Sequence, residues 1–137
     1  MTREDREFEI KDYLVLVNNI FQQVSADLNV VKARVNLLGF SQGAATAFRV
    51  FADNKFKVDQ LVLCCSPPPI DVDLKKIRIL SASTSIKVLA GKNDSLIDLA
   101  KMRDGVQPLV DNKIRFDFFE FEGGHEITDD MLKACVF

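Results

Sequence analysis

Histidine is nearly absent from this chain, and cysteine is scarce and oddly numbered. There is one histidine, His125, and three cysteines, Cys64, Cys65 and Cys135. No Cys-x-x-Cys pair and no Cys/His cluster occurs along the sequence, so zinc is not expected. Basic residues do not gather either. The 18 Lys and Arg face 20 Asp and Glu, for a net charge of −2, and no basic stripe stands out, which excludes nucleic acid as an expected partner. No apolar run reaches the roughly 18 residues that suggest a transmembrane helix, so no membrane span is expected. The opening, MTREDREFEI, mixes acids with bases and does not read as a signal or transit peptide. Cytoplasmic residence follows as an expectation. Cys64 and Cys65 fall in an apolar run and read as buried, reduced thiols, as a reducing compartment would keep them. There is no repeat, linker or low-complexity stretch, so residues 1–137 read as one domain.

What is present is an alternation of patterns. Ile10, Tyr13, Leu14, Val17, Ile20, Phe21, Val24 and Leu28 recur at helical spacing, predicting a helix over 3–28 with one apolar face packed on the core. Thr2 with Asp5 three positions on reads as its cap. A short strand is expected at 34–38, a helix from Gln42 to Ala52, and a strand at 61–65 that is apolar throughout and so covered on both faces. Ser66-Pro67-Pro68-Pro69 ends that strand, because proline removes the donors that pairing needs. Residues 71–77 read as a short helix or loop. Further strands are expected at 85–90 and 114–121, with a helix near 96–111 between them. Thr128 is placed to cap a last helix. A helix followed by repeated strand–helix units predicts an α/β fold, a parallel sheet of about four strands flanked by helices.

One motif carries chemistry. Gly39-Phe40-Ser41-Gln42-Gly43 fits Gly-x-Ser-x-Gly. The pattern arises by chance in about 4% of chains this long, given ordinary Gly and Ser usage, so context decides its weight. An apolar strand ends just before it and a helix-forming run begins just after, the setting of a nucleophile elbow. Such a turn forces the serine into a strained conformation, and side chains at positions 39 and 43 are expected to collide in it. The serine then stands above the strand end, and the N–H of Gln42, at the helix N-terminus, faces a developing oxyanion.

A serine hydroxyl is a weak nucleophile without a base. His125 follows the last expected strand and is the one imidazole the chain offers. The base in turn needs an acid to orient it. Asp94 follows the strand at 85–90, although an Asp there also suits a turn. Asp98 falls inside an expected helix, Asp129 and Asp130 suit a helix first turn, and Asp71 and Asp73 follow the proline run. The C-terminal ends of parallel strands share one edge, so Ser41, Asp94 and His125 can converge.

GFSQG after VNLL, the GKNDSLI stretch and FEGGHEI together resemble the phospholipase/carboxylesterase family of α/β-hydrolases, which includes acyl-protein thioesterases. The resemblance covers nearly the whole chain. It implies an α/β-hydrolase fold and a serine esterase with a catalytic triad: Ser41 as nucleophile, Asp94 as acid and His125 as base. The substrate would be a small-molecule ester or thioester, and neither metal nor organic cofactor is implied. Members resemble this chain over their C-terminal two-thirds and carry a His-Gly-type loop further upstream that gives a second oxyanion N–H. No histidine or glycine precedes Gly39 here. The chain is therefore expected to be an N-terminally truncated hydrolase with half of its oxyanion hole missing, either active or a remnant serving as a binding module. The strand at 34–38 would then expose an apolar edge, so a homodimer covering that edge is expected. A flavodoxin-like nucleotide-binding domain is disfavoured, since no glycine-rich phosphate loop follows the first strand.

Overall fold

The computed structural model describes residues 2–28 and 33–135. Five helices and four strands alternate in it. They are α1 (Arg3–Asp27), β1 (Asn36–Phe40), α2 (Gln42–Asp53), β2 (Gln60–Cys64), α3 (Leu74–Leu80), β3 (Ser85–Gly91), α4 (Leu99–Asp111), β4 (Asp117–Phe121) and α5 (Asp129–Cys135). The strands form one parallel sheet in the order β1-β2-β3-β4. Phe40 pairs with Cys64, Cys64 with Leu89, and Leu89 with Phe119. The loops leaving β1, β2, β3 and β4 therefore emerge on one edge.

The strand order fixes where the helices go. Parallel crossovers that all step in one direction, each with the usual right-handed turn, place their helices on one face. The main core agrees. Ala44, Ala47, Phe48 and Phe51 of α2, Ile77 of α3, and Met102, Val106 and Leu109 of α4 pack on Leu61, Leu63, Ile86, Val88 and Ala90 of the sheet. Residues alternate between faces along a strand, so Val62, Cys64, Leu89 and Phe121 point the other way, toward Met131 of α5. That double coverage explains why all five residues of β2 are buried.

The α1 helix departs from its expected role. Its cap is as read: Thr2 Oγ1 accepts from the Asp5 N–H, and Asp5 Oδ2 accepts from the Thr2 N–H. Yet none of its residues is buried. It rests on α2 rather than on the sheet, so only a narrow line of its apolar face is covered. Phe21 stacks on Phe56 at 3.8 Å between ring centroids. Arg49 of α2 donates to the Tyr13 hydroxyl and holds Asp71 through two hydrogen bonds, and Arg6 joins the same carboxylate. Ile20, Val24 and Leu28, expected in the core, are exposed.

The β1–α2 turn is tight. Ser41 sits between the two elements at φ 53°, a region costly for a side chain. A Cβ on Gly39 would lie 2.2 Å from the Gly43 carbonyl oxygen and 2.5 Å from Ala44 Cα, so glycine is required there. Gly43 differs from expectation: a Cβ at that position meets nothing within 4 Å. The clash is one-sided, because the strand residue lies under the helix backbone while Gly43 faces open space.

This asymmetry yields a prediction. Gly39→Ala should destabilise the protein by more than about 2 kcal/mol. Gly43→Ala, inside the first turn of α2, should be neutral or stabilising by up to about 1 kcal/mol. Urea denaturation of both variants checks the contrast, and equal destabilisation would contradict it.

Candidate active site

Three loops on one sheet edge bring Ser41, Asp94 and His125 together. Ser41 follows β1 and occupies the N-cap position of α2, where a serine normally lends its oxygen to the first turn. It makes no such bond here. Its Oγ lies instead 2.9 Å from His125 Nε2, across 84 residues of sequence. The Ser41 N–H donates to the Cys64 carbonyl at 2.9 Å, which ties the turn to β2.

Asp94 follows β3 and performs two tasks with its two oxygens. Oδ1 accepts from the backbone N–H groups of Leu96 and Ile97 at 2.8 and 2.9 Å, the turn-forming role an Asp in such a loop suggests. Oδ2 lies 2.8 Å from His125 Nδ1. The side chain is 1% exposed. Burial works against its charge, but the Ile97 N–H, the His125 ring and the Leu96 N–H outweigh burial and hold its pKa below the ordinary aspartate value. An ionised carboxylate only accepts. Nδ1 must therefore carry a proton, and in the neutral ring Nε2 is the atom that accepts from the Ser41 hydroxyl.

His125 follows β4, and its loop is zipped to the Asp94 loop through backbone. Lys92 N–H donates to the Phe121 carbonyl and Asn93 N–H to the Gly123 carbonyl, at 3.0 and 2.9 Å. A Cβ on Gly91 would meet the Gly124 and Gly123 carbonyl oxygens at 2.3 and 2.8 Å, so the strand end must be glycine for the loops to close. Lys92 and Glu122 form an ion pair across the same seam. Phe40 lies against the imidazole at 5.0 Å between ring centroids.

The other acids have different work. Asp71 binds Arg49 and Arg6. Asp73 caps α3, and Asp129 and Asp130 stand in the first turn of α5. Asp98 is not inside a helix as expected: it caps α4, which starts at Leu99 because the Asp94 turn occupies residues 96–97. Gln42 opens α2, where first-turn N–H groups lack intrahelical partners and favour negative charge.

Sequence spacing did not reveal the place of Cys65. Its Sγ, one Asp94 oxygen and one His125 nitrogen lie within 4.8 Å of one another, a donor set able to hold a metal ion. In this structure Asp94 and His125 spend their facing atoms on each other. Gly91 and Phe40 were also missed as site-shaping residues. Only the glycine had a sequence signal, its place at a strand end.

A cavity of about 610 Å³, lined by Thr84, Ile86, Ile114 and Phe116 among others, opens where β3 and β4 begin, at the opposite edge from Ser41. Among the described residues, no helix is long and apolar enough to cross a membrane.

Comparison with known proteins bears on the whole chain. The phospholipase/carboxylesterase family profile matches residues 2–136. No curated protein sequence matches. Among solved structures, Zea mays acyl-protein thioesterase 2 superposes with a TM-score of 0.69 at 13% identity, over 91% of this chain and 61% of that one. The Bacillus cereus carboxylesterase gives 0.71 at 16%, over 93% and 59%. Arabidopsis thaliana SOBER1 gives 0.66 at 16%, over 91% and 60%. At these identities the likeness establishes the fold, and the chain spans about three fifths of the length of each. With four parallel strands flanked by helices and a family match from residue 2 to residue 136, the chain belongs to the phospholipase/carboxylesterase family.

Proposed function

We propose that the protein is a serine hydrolase that cleaves carboxylic esters or thioesters through an acyl-enzyme on Ser41. The observation that carries this reading is the diverted N-cap hydroxyl. Ser41 Oγ turns from the helix it should cap to His125 Nε2, and His125 Nδ1 turns to buried Asp94. In the reaction Ser41 Oγ attacks the substrate carbonyl while Nε2 takes its proton. The Gln42 N–H, at the positive end of α2, faces the oxyanion of the tetrahedral intermediate. Collapse expels the alcohol or thiol, which receives the proton from Nε2 and leaves the acyl group on Ser41. Water then attacks with His125 again as base, freeing the acid and Ser41. Asp94 fixes the tautomer and stabilises the imidazolium. None of these steps calls for a metal or an organic cofactor. Cytoplasmic residence suits the reduced thiols of Cys64 and Cys65.

We also infer that a second copy covers the open edge of β1. Among the described residues that strand has one neighbour, Leu38 is 40% exposed on it, and Ile20, Val24 and Leu28 of the adjoining α1 region are exposed as well. A groove of about 300 Å³ between Val24, Leu28, Val35 and Asn36 joins the helix to the strand. A twofold partner pairs edge to edge and buries this apolar rim. Size-exclusion chromatography with light scattering should give a dimer mass, and a monomer at high concentration would refute this.

Three further outcomes are expected. A fluorophosphonate probe should label Ser41, and Ser41→Ala should lose labelling together with turnover of a short-chain p-nitrophenyl ester by about 10⁴-fold or more. An unlabelled wild-type protein that turns over no ester would leave the binding-module reading. Asp94→Asn should lower turnover by about 10⁴-fold by favouring the wrong tautomer. The same variant tests the charge of Asp94. A carboxylate with a lower pKa folded than unfolded stabilises the fold above its unfolded value of about 3.9, and loses that contribution as pH falls through its folded value. The Tm gap between wild type and Asp94→Asn should therefore be widest near neutrality and close in acid. A gap that is constant with pH would show that the Asp94 charge contributes nothing.

A further inference from the structure

Two buried thiols lie behind His125 and take no part in the reaction above. Cys64 ends β2 and Cys65 follows it, both with no solvent exposure. Neighbouring residues in a strand point to opposite faces, so adjacent cysteines in a strand keep their sulfurs apart. Here Cys65 adopts φ 55°, which swings its side chain to the same side as Cys64. The two Sγ atoms lie 3.7 Å apart. Met131 Sδ of α5 stands 3.9 Å beyond Cys64 Sγ. On the other side, Cys65 Sγ is 3.9 Å from the Gly124 carbonyl and 3.7 Å from that of Glu126, the residues on either side of His125.

We propose that Cys64 and Cys65 are a modification site: hydrogen peroxide closes them into a reversible vicinal disulfide, which releases the His125 loop and silences Ser41. The second clause rests on the reading of Ser41 as nucleophile; the first does not. The Cys65 thiolate attacks one peroxide oxygen, the O–O bond breaks, and hydroxide leaves to take up a proton as water. Cys64 Sγ then attacks the Cys65 sulfenic sulfur. The S–O bond breaks, and the second hydroxide leaves as water with the Cys64 proton. Two thiols lose two electrons in all, and one peroxide becomes two waters.

Three features favour this chemistry. The hydrogen bond with Cys64 is the largest influence on the Cys65 thiol and, against burial, brings its pKa down to about 7, so a thiolate is available near neutrality. Neither thiol is open to solvent, so an oxidant reaches them only on local opening, which favours one as small as hydrogen peroxide. Adjacent Cα atoms are about 3.8 Å apart, below the usual disulfide span of about 4.4–6.8 Å, so the bond is strained and readily reduced. Its effect on the site follows from the same distances. Closing the sulfurs to about 2.0 Å removes both S–H donors and draws Cys65 Sγ from the two carbonyls that flank His125.

The test uses the full chain with Cys135→Ser, so that no third thiol competes. After hydrogen peroxide the intact mass should fall by two hydrogens. The peptide carrying both cysteines should refuse iodoacetamide until it is reduced. Fluorophosphonate labelling of Ser41 should slow by about 10²-fold, the scale of a displaced catalytic group, and should recover with reductant. Adding Cys64→Ala should abolish the mass loss and keep labelling resistant to peroxide, and Cys65→Ser serves if that variant does not fold. Because His125 is the one histidine in the chain, its imidazole NMR signal gives a readout independent of catalysis and should move on oxidation and return on reduction. Oxygen adducts or cross-linked dimers in place of the two-hydrogen loss would overturn the disulfide. A disulfide that leaves the imidazole signal in place would overturn its coupling to the site. Failure of the reduced protein to label, with the mass loss and NMR shift intact, would count against the Ser41 reading alone.

Discussion

His125 holds the site together by bonding on both sides at once. One ring nitrogen meets a hydroxyl 84 residues away and the other a carboxylate 31 residues away. Neither bond survives alone as a useful geometry. Without Asp94 the proton has no reason to stay on Nδ1, and Nε2 ceases to accept. Without the turn at Ser41 the hydroxyl falls back to its default, capping α2. The sheet serves this bridge by delivering three loop origins to one edge, and α2, α3 and α4 pack on the face behind it. The strain at Ser41 is tolerable for the same reason. Gly39 lets α2 settle against β1, and the Ser41 N–H is fixed to the Cys64 carbonyl.

The loops are held by backbone more than by side chains. Gly91 lies so close to the Gly123 and Gly124 carbonyls that no Cβ fits on it between the strand end and the histidine loop. Two backbone hydrogen bonds from Lys92 and Asn93 run along the seam. The Lys92–Glu122 ion pair lies at its exposed rim and adds little, because solvent screens such pairs. The position of His125 is thus set by groups common to all residues. Their geometry depends on glycine at 91, not on the neighbouring charges.

Much of this was legible in the sequence. The apolar run at 61–65 announced a doubly covered strand, and β2 is that strand, ending at Cys64. Gly-x-Ser-x-Gly between a strand and a helix announced the turn, and the order of Ser41, Asp94 and His125 along the chain announced their convergence. The rest was hidden for physical reasons. Periodicity reports that one side of α1 is apolar, but not whether a sheet or another helix lies under it, so Ile20, Val24 and Leu28 read as core. Spacing cannot tell which of the two positions flanking a turn is crowded, so Gly43 looked as constrained as Gly39. Cys65 read as strand because a positive φ at a cysteine has no composition signal.

The uninterrupted strand order has a consequence for how the site comes into being. A sheet that adds each new strand beside the previous one, always in the same direction, can assemble in the order in which the ribosome releases it. Among the described strands, Ser41 follows β1, Asp94 follows β3 and His125 follows β4. The Ser41 hydroxyl therefore emerges well before the imidazole it meets in the folded chain. The hydrogen-bonded line of Ser41, His125 and Asp94 is, on this ordering, completed by the last loop to dock.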